Sequence, residues 1–216
     1  MSTETEFKPL EYDDGPLVWV DCEMTGLDFL NDRIIEIAVI ITNGKLEPVD
    51  QGISYIINTP KDILDNMNEW CINQHGKSGL TQSCIDSKYS YEQVSDKVLE
   101  YLEKWIPERG AGVLAGSTVH ADMRFMMIGM PKVMKHLSYR IVDVSSVKEI
   151  CKRWYPSVRQ KDKARRTVEC SHRALDDIKA SIEELKFYRE TIFIPIEPKA
   201  SRPTTPENER EGKTAV

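Results

Sequence analysis

Residues 18–27 read VWVDCEMTGL, an apolar run that leads into two acids and then a glycine. The run over Leu17–Met24 is rich in β-branched and aromatic residues, and it predicts a buried strand. Alternate side chains of a strand share one face, so Asp21 and Glu23 point the same way, roughly 7 Å apart. Cys22 points to the opposite face and is interpreted as a core residue. The rest of the fold is expected to be arranged around this strand.

Two carboxylates at the end of a core strand repel each other and are costly to remove from water. A divalent cation between Asp21 and Glu23 would relieve both problems, and carboxylate oxygens suit Mg²⁺ or Mn²⁺. The alternative is a strand end whose two acids face water. The pair alone does not decide between a metal site and a solvated strand end.

The composition predicts one soluble globular domain. The chain has 216 residues, of which 40% are hydrophobic and 30% charged, and its net charge is -6. Proteins that hold long nucleic acids are usually basic, so a nucleic-acid substrate would have to be short or locally held. The five cysteines lack metal-finger spacing, which favours a reducing compartment. No apolar run is long enough to cross a membrane. The cytoplasm is the expected location, and the mitochondrion remains an alternative.

The first half of the chain predicts an antiparallel meander followed by helices. Residues 33–42 form a long β-branched run, typical of a central strand. Asn43 and Gly44 then give a strong hairpin signal, and residues 52–58 form the third strand. Glu36 lies inside the second strand, either paired as a structural residue or as an acid near the site. Ser90 opens a helix with a capping box that stops before residue 107.

The second half alternates between strands and helices. Strands are predicted at 112–116 and 140–144, and helices at 120–128, 145–154 and 172–192. An α/β fold with a mixed sheet flanked by helices follows. The predicted organisation is a flexible acidic tail at 1–14, a domain at 15–194 and a disordered tail at 195–216. A basic loop covers residues 159–166, and its role is open.

Three further residues are candidates for the site. On the last helix, Asp177 lies at the edge of the apolar face, whereas its neighbour Asp176 lies on the solvent side. His172 would reach the same site only if it lies in the loop before that helix. Its pKa near neutrality would then suit a general base. Asp122 follows the strand at 112–116, but an acid in the first turn of a helix also suits the helix dipole.

The order of these residues resembles the three motifs of the DEDD exonuclease superfamily, in its His-containing branch. The motifs are Asp21-x-Glu23, Asp122 and His172-x4-Asp177. Longer stretches resemble the oligoribonuclease family, and the similarity covers residues 16–193. These stretches are 19–28 (WVDCEMTGLD), 75–80 (HGKSGL), 139–149 (YRIVDVSSVKE) and 171–178 (SHRALDDI).

The resemblance implies an RNase H-like fold, a homodimer and 3′-to-5′ hydrolysis of very short RNA to nucleoside 5′-monophosphates. It also implies two divalent cations, Mg²⁺ or Mn²⁺, held by Asp21, Glu23, Asp122 and Asp177. His172 matches the general base. Two ions can stabilise both the attacking and the leaving oxygens of a phosphodiester.

The resemblance further implies how the substrate is held. Leu27 matches a residue that wedges against a base, and Trp70 matches an aromatic on which a base stacks. Tyr139 and Arg140 match residues that reach in from the partner subunit. The 5′ phosphate would be met by residues matching Thr118, Ser145 and Lys148. Two structural alternatives stay open, namely that Trp70 is a core residue and that Lys148 is a solvated helix lysine.

One departure from the resemblance is visible. Relatives usually carry Gly-Asn-Ser where this chain has Gly116, Ser117 and Thr118. Thr118 keeps the hydroxyl, but Ser117 replaces an amide. Two other functions are compatible with parts of the pattern: an exonuclease for longer RNA or DNA ends, and a nucleotide-binding protein without catalysis. The complete set of acids argues against the second, and the absence of a basic stripe argues against the first.

Overall fold

The structure is a computed structural model that describes residues 8–158 and 173–193. The strands in these ranges are β1 (Leu17–Met24), β2 (Ile34–Thr42), β3 (Ile53–Ile56), β4 (Val113–Gly116) and β5 (Ile141–Asp143). The helices are α1 (Lys61–Asp65), α2 (Glu69–Ser78), α3 (Leu80–Asp86), α4 (Tyr91–Trp105), α5 (His120–Gly129), α6 (Pro131–His136), α7 (Val144–Trp154) and α8 (Ala174–Thr191). The predicted bounds of β1 are confirmed, and the bounds of the other predicted elements differ from the observed ones by at most two residues at either end.

The strands form one mixed sheet in the order β3-β2-β1-β4-β5. The first three strands pair antiparallel, as the predicted meander requires. β4 pairs parallel to β1 and β5 pairs parallel to β4, because helices lie in the connection that precedes each of these two strands. The predicted α/β fold with a mixed, helix-flanked sheet is therefore confirmed.

Helices cover both faces of the sheet, and β1 contributes to both cores. Val18, Val20 and Cys22 pack on the side of α4, α5 and α6. Trp19 packs on the opposite side, against α7 and α8. The side chains of Asp21 and Glu23 point to this second side, because strand residues alternate between faces. The site therefore lies where the second core ends, under the first turn of α8.

The pairing of β1 with β2 changes register beside the two acids. Glu23 faces Glu36, but Met24 faces Ile34, so one residue of β2 is left over. Irregularities of this kind re-aim side chains and are common beside active sites. The extra residue, Ile35, packs into a third core under α1, α2 and α3. Because of the shift, the neighbouring β2 residues Ile34 and Ile35 pack into two different cores, the first and the third.

The connection from β2 to β3 is longer than the hairpin signal predicts. Asn43 does begin a turn, with its N–H donating to the Glu47 carbonyl at 3.1 Å. Leu46 adopts a left-handed conformation with φ of 67°. The chain then bridges Thr42 to Pro48 before β3 begins. The two strands are still antiparallel neighbours, but the loop between them runs over residues 43–52.

Residues 8–14 differ from the prediction of a flexible tail. The Leu10 N–H donates to the Trp105 carbonyl at 2.7 Å, and Tyr12–Asp14 form a 3₁₀ turn. The remaining predicted tail segments, 1–7 and 195–216, lie outside the described residues, as does the basic loop 159–166. In the described ranges, no helix combines the length and apolar character that crossing a bilayer requires.

Candidate active site

Three carboxylates meet at the end of β1. Asp21 and Glu23 from β1 and Asp177 from α8 each offer an oxygen, and these oxygens all lie within 4.8 Å of one another. Asp177 occupies the first turn of α8 and is half-buried, whereas Asp176 is exposed, as the helical pattern predicts. The fold therefore brings two acids of β1 together with a third that lies about 150 residues later in the sequence.

Asp122 lies beside this cluster on α5 and is almost fully buried, with 6% of its surface exposed. Its carboxylate accepts a hydrogen bond of 3.0 Å from the Cys22 N–H. The pairing of β1 with β4 ends at Trp19, so a side chain takes over where the strand partner stops. Asp122 is thus fixed next to Asp21, although it does not belong to the set of three oxygens described above.

Burial and mutual repulsion raise the pKa values of these acids. Burial raises the pKa of Asp21 to about 8, and the charges of Asp122 and Asp177 add to the effect. Burial raises the pKa of Glu23 to about 7, with Glu36 as the largest contribution from a neighbouring charge. Burial also raises the pKa of Asp122 to about 7. Ionising the whole set near neutral pH is therefore unfavourable in the protein alone.

The donor set fits a hard divalent cation. Carboxylate oxygens are the ligands that Mg²⁺ and Mn²⁺ prefer, and a cation would offset the repulsion that raises these pKa values. No histidine or cysteine side chain joins Asp21, Glu23 and Asp177 among the described residues. The acidic cluster therefore has the ligand chemistry of a divalent-cation site.

Leu27 is held at the tip of the turn that follows β1. The Thr25 hydroxyl donates to Asp32 at 2.8 Å and accepts from the Arg33 N–H at 3.1 Å, which closes the turn. A Cβ at Gly26 would lie 2.3 Å from the Asp32 carboxylate, so any other residue there would displace the side chain that closes the turn. The Leu27 side chain is 84% exposed as a result.

Trp70 lies across a cleft from Leu27, in the first turn of α2. The cleft has a volume of about 380 Å³, and Glu23 of the acidic cluster is part of its wall. Trp70 is 67% exposed, so the alternative that it is a core residue is wrong. The cleft therefore joins two exposed apolar side chains to one of the three acids.

Three hydroxyl groups meet at the start of α7. The Ser145 hydroxyl lies 2.9 Å from that of Thr118 and 3.0 Å from that of Ser117. Asp143 holds the arrangement, because its Oδ1 accepts from the N–H groups of Thr118 and Ser145, both at 2.9 Å. Thr118 has a φ of 62°, a strained conformation for a β-branched residue. Ser117 thus joins the hydroxyl cluster in place of the amide of relatives.

Lys148 is one turn further along α7, and its Nζ lies 3.2 Å from Glu184 of α8. Glu184 is buried and also accepts a hydrogen bond of 3.0 Å from the Tyr188 hydroxyl. The alternative of a freely solvated Lys148 is therefore wrong, because the lysine contacts a buried acid. Whether it also contacts a phosphate stays a prediction.

Tyr139 and Arg140 precede β5 and lie on the surface. Tyr139 is 84% exposed, and the Arg140 guanidinium lies 4.6 Å from the centre of its ring. The predicted role of both residues is to reach a partner subunit, and their exposure leaves them accessible for it. The predicted general base, His172, lies outside the described residues.

Comparison with known proteins places the chain in a family. A sequence model of the exonuclease family matches residues 18–185. The mitochondrial oligoribonuclease of Saccharomyces cerevisiae is 47% identical over 187 residues, which cover 83% of this chain and 68% of that one. The oligoribonuclease of Colwellia psychrerythraea is 45% identical over 181 residues, covering 83% and 97% of the two chains. This chain belongs to the oligoribonuclease family. It is therefore a nuclease of the hydrolase class.

The fold of this oligoribonuclease family member is shared with more distant exonucleases. Exonuclease I of Methylocaldum szegediense superposes with a TM-score of 0.65 at 16% identity, over 82% of this chain. This chain spans 41% of the length of that protein. The similarity places the five-stranded sheet in the RNase H-like exonuclease fold.

Two residues of this oligoribonuclease site, His75 and Arg173, could not be predicted from the sequence patterns. His75 of α2 is buried, and its Nε2 lies 2.9 Å from the Met24 carbonyl oxygen. Its Nδ1 lies 3.9 Å from Glu23. Arg173 contacts Glu36 at 3.4 Å, and its charge offsets part of the rise in the pKa of Glu23 that burial causes. The stretch at 75–80 matches the oligoribonuclease family, but no periodicity in it indicates a buried histidine.

Proposed function

We propose that the chain is a 3′-to-5′ exoribonuclease that hydrolyses very short oligoribonucleotides, including dinucleotides, to nucleoside 5′-monophosphates. The observation that carries the proposal is the position of Glu23. It belongs to the acidic cluster and also lines the cleft between Leu27 and Trp70. A base in that cleft would place its phosphodiester beside the acids. The exonuclease domain is assigned to residues 15–194.

The acids would hold two divalent cations, Mg²⁺ or Mn²⁺, with Asp21, Glu23, Asp122 and Asp177 as ligands. When bound, such ions stabilise the attacking and leaving oxygens and lower the pKa of a water molecule. The closeness of Asp21, Glu23 and Asp177 supports this ligand set. Asp122 accepts a hydrogen bond from the Cys22 N–H, which holds its carboxylate beside the residues of β1 that carry the other two acids.

His172 is assigned as the general base that takes a proton from the attacking water. An imidazole is suited to this role because its ordinary pKa lies near neutrality. Its position in sequence supports the assignment. Arg173, the next residue, contacts Glu36, which faces Glu23 across the sheet.

Leu27 and Trp70 would hold the base of the 3′ nucleotide from two sides. Stacking on an aromatic ring contributes about 1–3 kcal/mol per base and accepts every base. Their high exposure supports this role, because neither side chain contributes much to the core. The enzyme would therefore select its substrate by length and not by sequence.

Thr118, Ser145 and Lys148 would contact the 5′ phosphate of a short substrate. The hydroxyl cluster lies at the N-terminus of α7, where the helix dipole favours an anion. Such a cap would also explain how an acidic protein binds RNA without a basic track. Lys148 would have to share its charge between the phosphate and Glu184.

A homodimer would complete each site with Tyr139 and Arg140 of the other subunit. The exposure of Tyr139 and the stacked arginine support an intermolecular role. The assigned compartment is the cytoplasm, with the mitochondrion as the alternative. The name of the yeast relative supports that alternative.

The proposal is tested by a digestion time course on 5′-labelled RNA of two, three and ten or so nucleotides. We expect rapid loss of the dinucleotide with Mn²⁺ and none with EDTA. Degradation of long RNA with accumulation of dinucleotides would contradict the phosphate cap. Absence of cleavage with either Mg²⁺ or Mn²⁺ would contradict the proposed activity itself.

A further inference from the structure

Glu36 is the charged residue of β2, a strand in which all nine residues are buried. Its exposed fraction is 1%, and a carboxylate is costly to bury without partners. Its Oε1 lies 3.4 Å from the Ser54 hydroxyl and 3.4 Å from the Arg173 guanidinium. Its Oε2 has no hydrogen-bond partner among the described residues. A carboxylate therefore occupies a position where an apolar side chain would cost less free energy to bury.

The position of Glu36 in the sheet relates it to the acidic cluster. It is the direct cross-strand partner of Glu23, and the two side chains share a face of the sheet. The neighbouring pair on that face is Asp21 with Ala38. Glu36 is thus the residue that contacts both the strand carrying two acids and, through Arg173, the helix carrying the third.

Arg173 contacts Glu36 through its side chain and Asp177 through its backbone. It is the N-cap residue of α8, and its carbonyl accepts the Asp177 N–H at 3.1 Å and the Asp176 N–H at 2.9 Å. Its guanidinium reaches back to Glu36. The Arg173 side chain therefore links the first turn of α8, and with it Asp177, to β2, the strand that pairs with β1 at Glu23.

We propose that Glu36 and Arg173 form a pair of positioning residues that sets the distance between Asp177 and the two acids of β1. The inference rests on the proposed function insofar as the acids bind divalent cations. Neither residue is assigned a contact with RNA. Their effect on the reaction would pass through the geometry of the acidic cluster.

A positioning role and a simple charge effect predict opposite results for Arg173. Removing a positive charge near three carboxylates should by itself tighten cation binding. Loss of a positioning contact should weaken it, because the three oxygens no longer converge. For Glu36→Gln both explanations predict weaker binding, so the Arg173 variant decides between them.

The experiment measures Mn²⁺ affinity by calorimetry for the wild-type protein, Arg173→Met, Arg173→Lys and Glu36→Gln. Arg173→Met leaves the buried Glu36 without its ion-pair partner and could therefore fold poorly. The double variant Glu36→Gln/Arg173→Met removes that charge as well and serves as the alternative. Arg189→Met is the matched control, since Arg189 lies on the same helix and donates to the Lys45 carbonyl, away from the acids. Thermal unfolding is measured for every variant.

We expect the Kd for Mn²⁺ to rise about tenfold in Arg173→Met, which corresponds to about 1.4 kcal/mol. Arg173→Lys should retain more of the affinity than Arg173→Met. In the double variant the loss of binding free energy should not exceed the sum of the losses in the two single variants, as expected for two residues in contact. Arg189→Met should bind like the wild type. Unchanged or tighter Mn²⁺ binding in a folded Arg173→Met protein would overturn the inference. A wild type that binds Mn²⁺ without cleaving RNA would contradict the proposed function and leave this comparison intact.

Discussion

The carboxylate of Asp122 accepts a hydrogen bond of 3.0 Å from the N–H of Cys22, the residue between Asp21 and Glu23. The contact joins α5 to β1 at the position where the pairing with β4 has already ended. The Asp122 carboxylate thus has two roles: it accepts the hydrogen bond of the Cys22 N–H, and it adds a titratable acid to the site. The two roles can be separated by substitution.

We predict that Asp122→Ala destabilises the fold, whereas Asp122→Asn does not. Alanine leaves the buried Cys22 N–H without an acceptor, which costs about 1–3 kcal/mol. Asparagine keeps an acceptor oxygen but loses the charge. Urea unfolding should therefore separate the variants, while both should lose RNA hydrolysis. Equal stability of the two variants would show that the hydrogen bond contributes nothing.

The metal-free protein should lose stability as the pH rises. The pKa of Asp21 is raised to about 8 in the folded protein, above its value near 4 in the unfolded chain. Between these values the folded state binds more protons, so the free energy of unfolding falls with pH. The fall should level off above about pH 8.

This prediction is checked by thermal unfolding in EDTA from pH 5 to pH 9. Asp21→Asn removes the titrating group and should give a flatter curve than the wild type. Added Mn²⁺ should stabilise the wild type most at high pH, where the carboxylates are ionised. A wild-type curve with the same slope as that of Asp21→Asn would contradict the assigned pKa shift.

Trp70→Ala should weaken substrate binding without weakening the fold. The side chain is 67% exposed, so its loss removes little core packing. Loss of stacking of about 1–3 kcal/mol corresponds to a rise in KM of roughly 5- to 150-fold. Steady-state kinetics on a dinucleotide and thermal unfolding measure the two effects.

Ile72→Ala is the matched control, because Ile72 is an exposed apolar residue of the same helix and does not line the cleft. Its kinetics should match those of the wild type. A Trp70→Ala protein with an unchanged KM would remove Trp70 from the substrate site.

The proposed homodimer makes a prediction about mixed subunits. Asp21→Asn disables its own acids, and Arg140→Ala would disable the partner's site. A heterodimer of the two would contain one intact site, with the acids of one chain and Arg140 of the other. Mixing two inactive proteins under conditions of subunit exchange should therefore restore activity. If the mixture stayed inactive although exchange was demonstrated, Arg140 would not act across an interface.

The strand and helix pattern carried enough information to predict much of the fold. Leu17–Met24 is confirmed because its apolar run and its acids follow the two-residue period of a strand. The capping box at Ser90 is confirmed, with the Ser90 hydroxyl accepting from Gln93 at 3.2 Å. The helical period separated Asp177 from Asp176, because one of the two had to face the sheet.

Other features depend on contacts between distant segments, which local patterns do not report. Glu36 and Arg173 are far apart in sequence, so their pairing could not be predicted from periodicity. Thr118 combines a strained φ with an N–H that donates to Asp143, a residue 25 positions away in the sequence. The order of residues 8–14 depends on a hydrogen bond to Trp105, at the end of α4.

The most direct test of the account compares Asp177→Asn with Asp176→Asn on a 5′-labelled RNA dinucleotide in Mn²⁺. The two variants make the same chemical change at adjacent residues of α8. Asp177 contributes to the acidic cluster, whereas Asp176 is exposed. We predict that Asp177→Asn lowers kcat at least a thousandfold, about 4 kcal/mol, and that Asp176→Asn cleaves like the wild type. Comparable activity of the two variants would contradict a catalytic centre built on Asp21, Glu23 and Asp177.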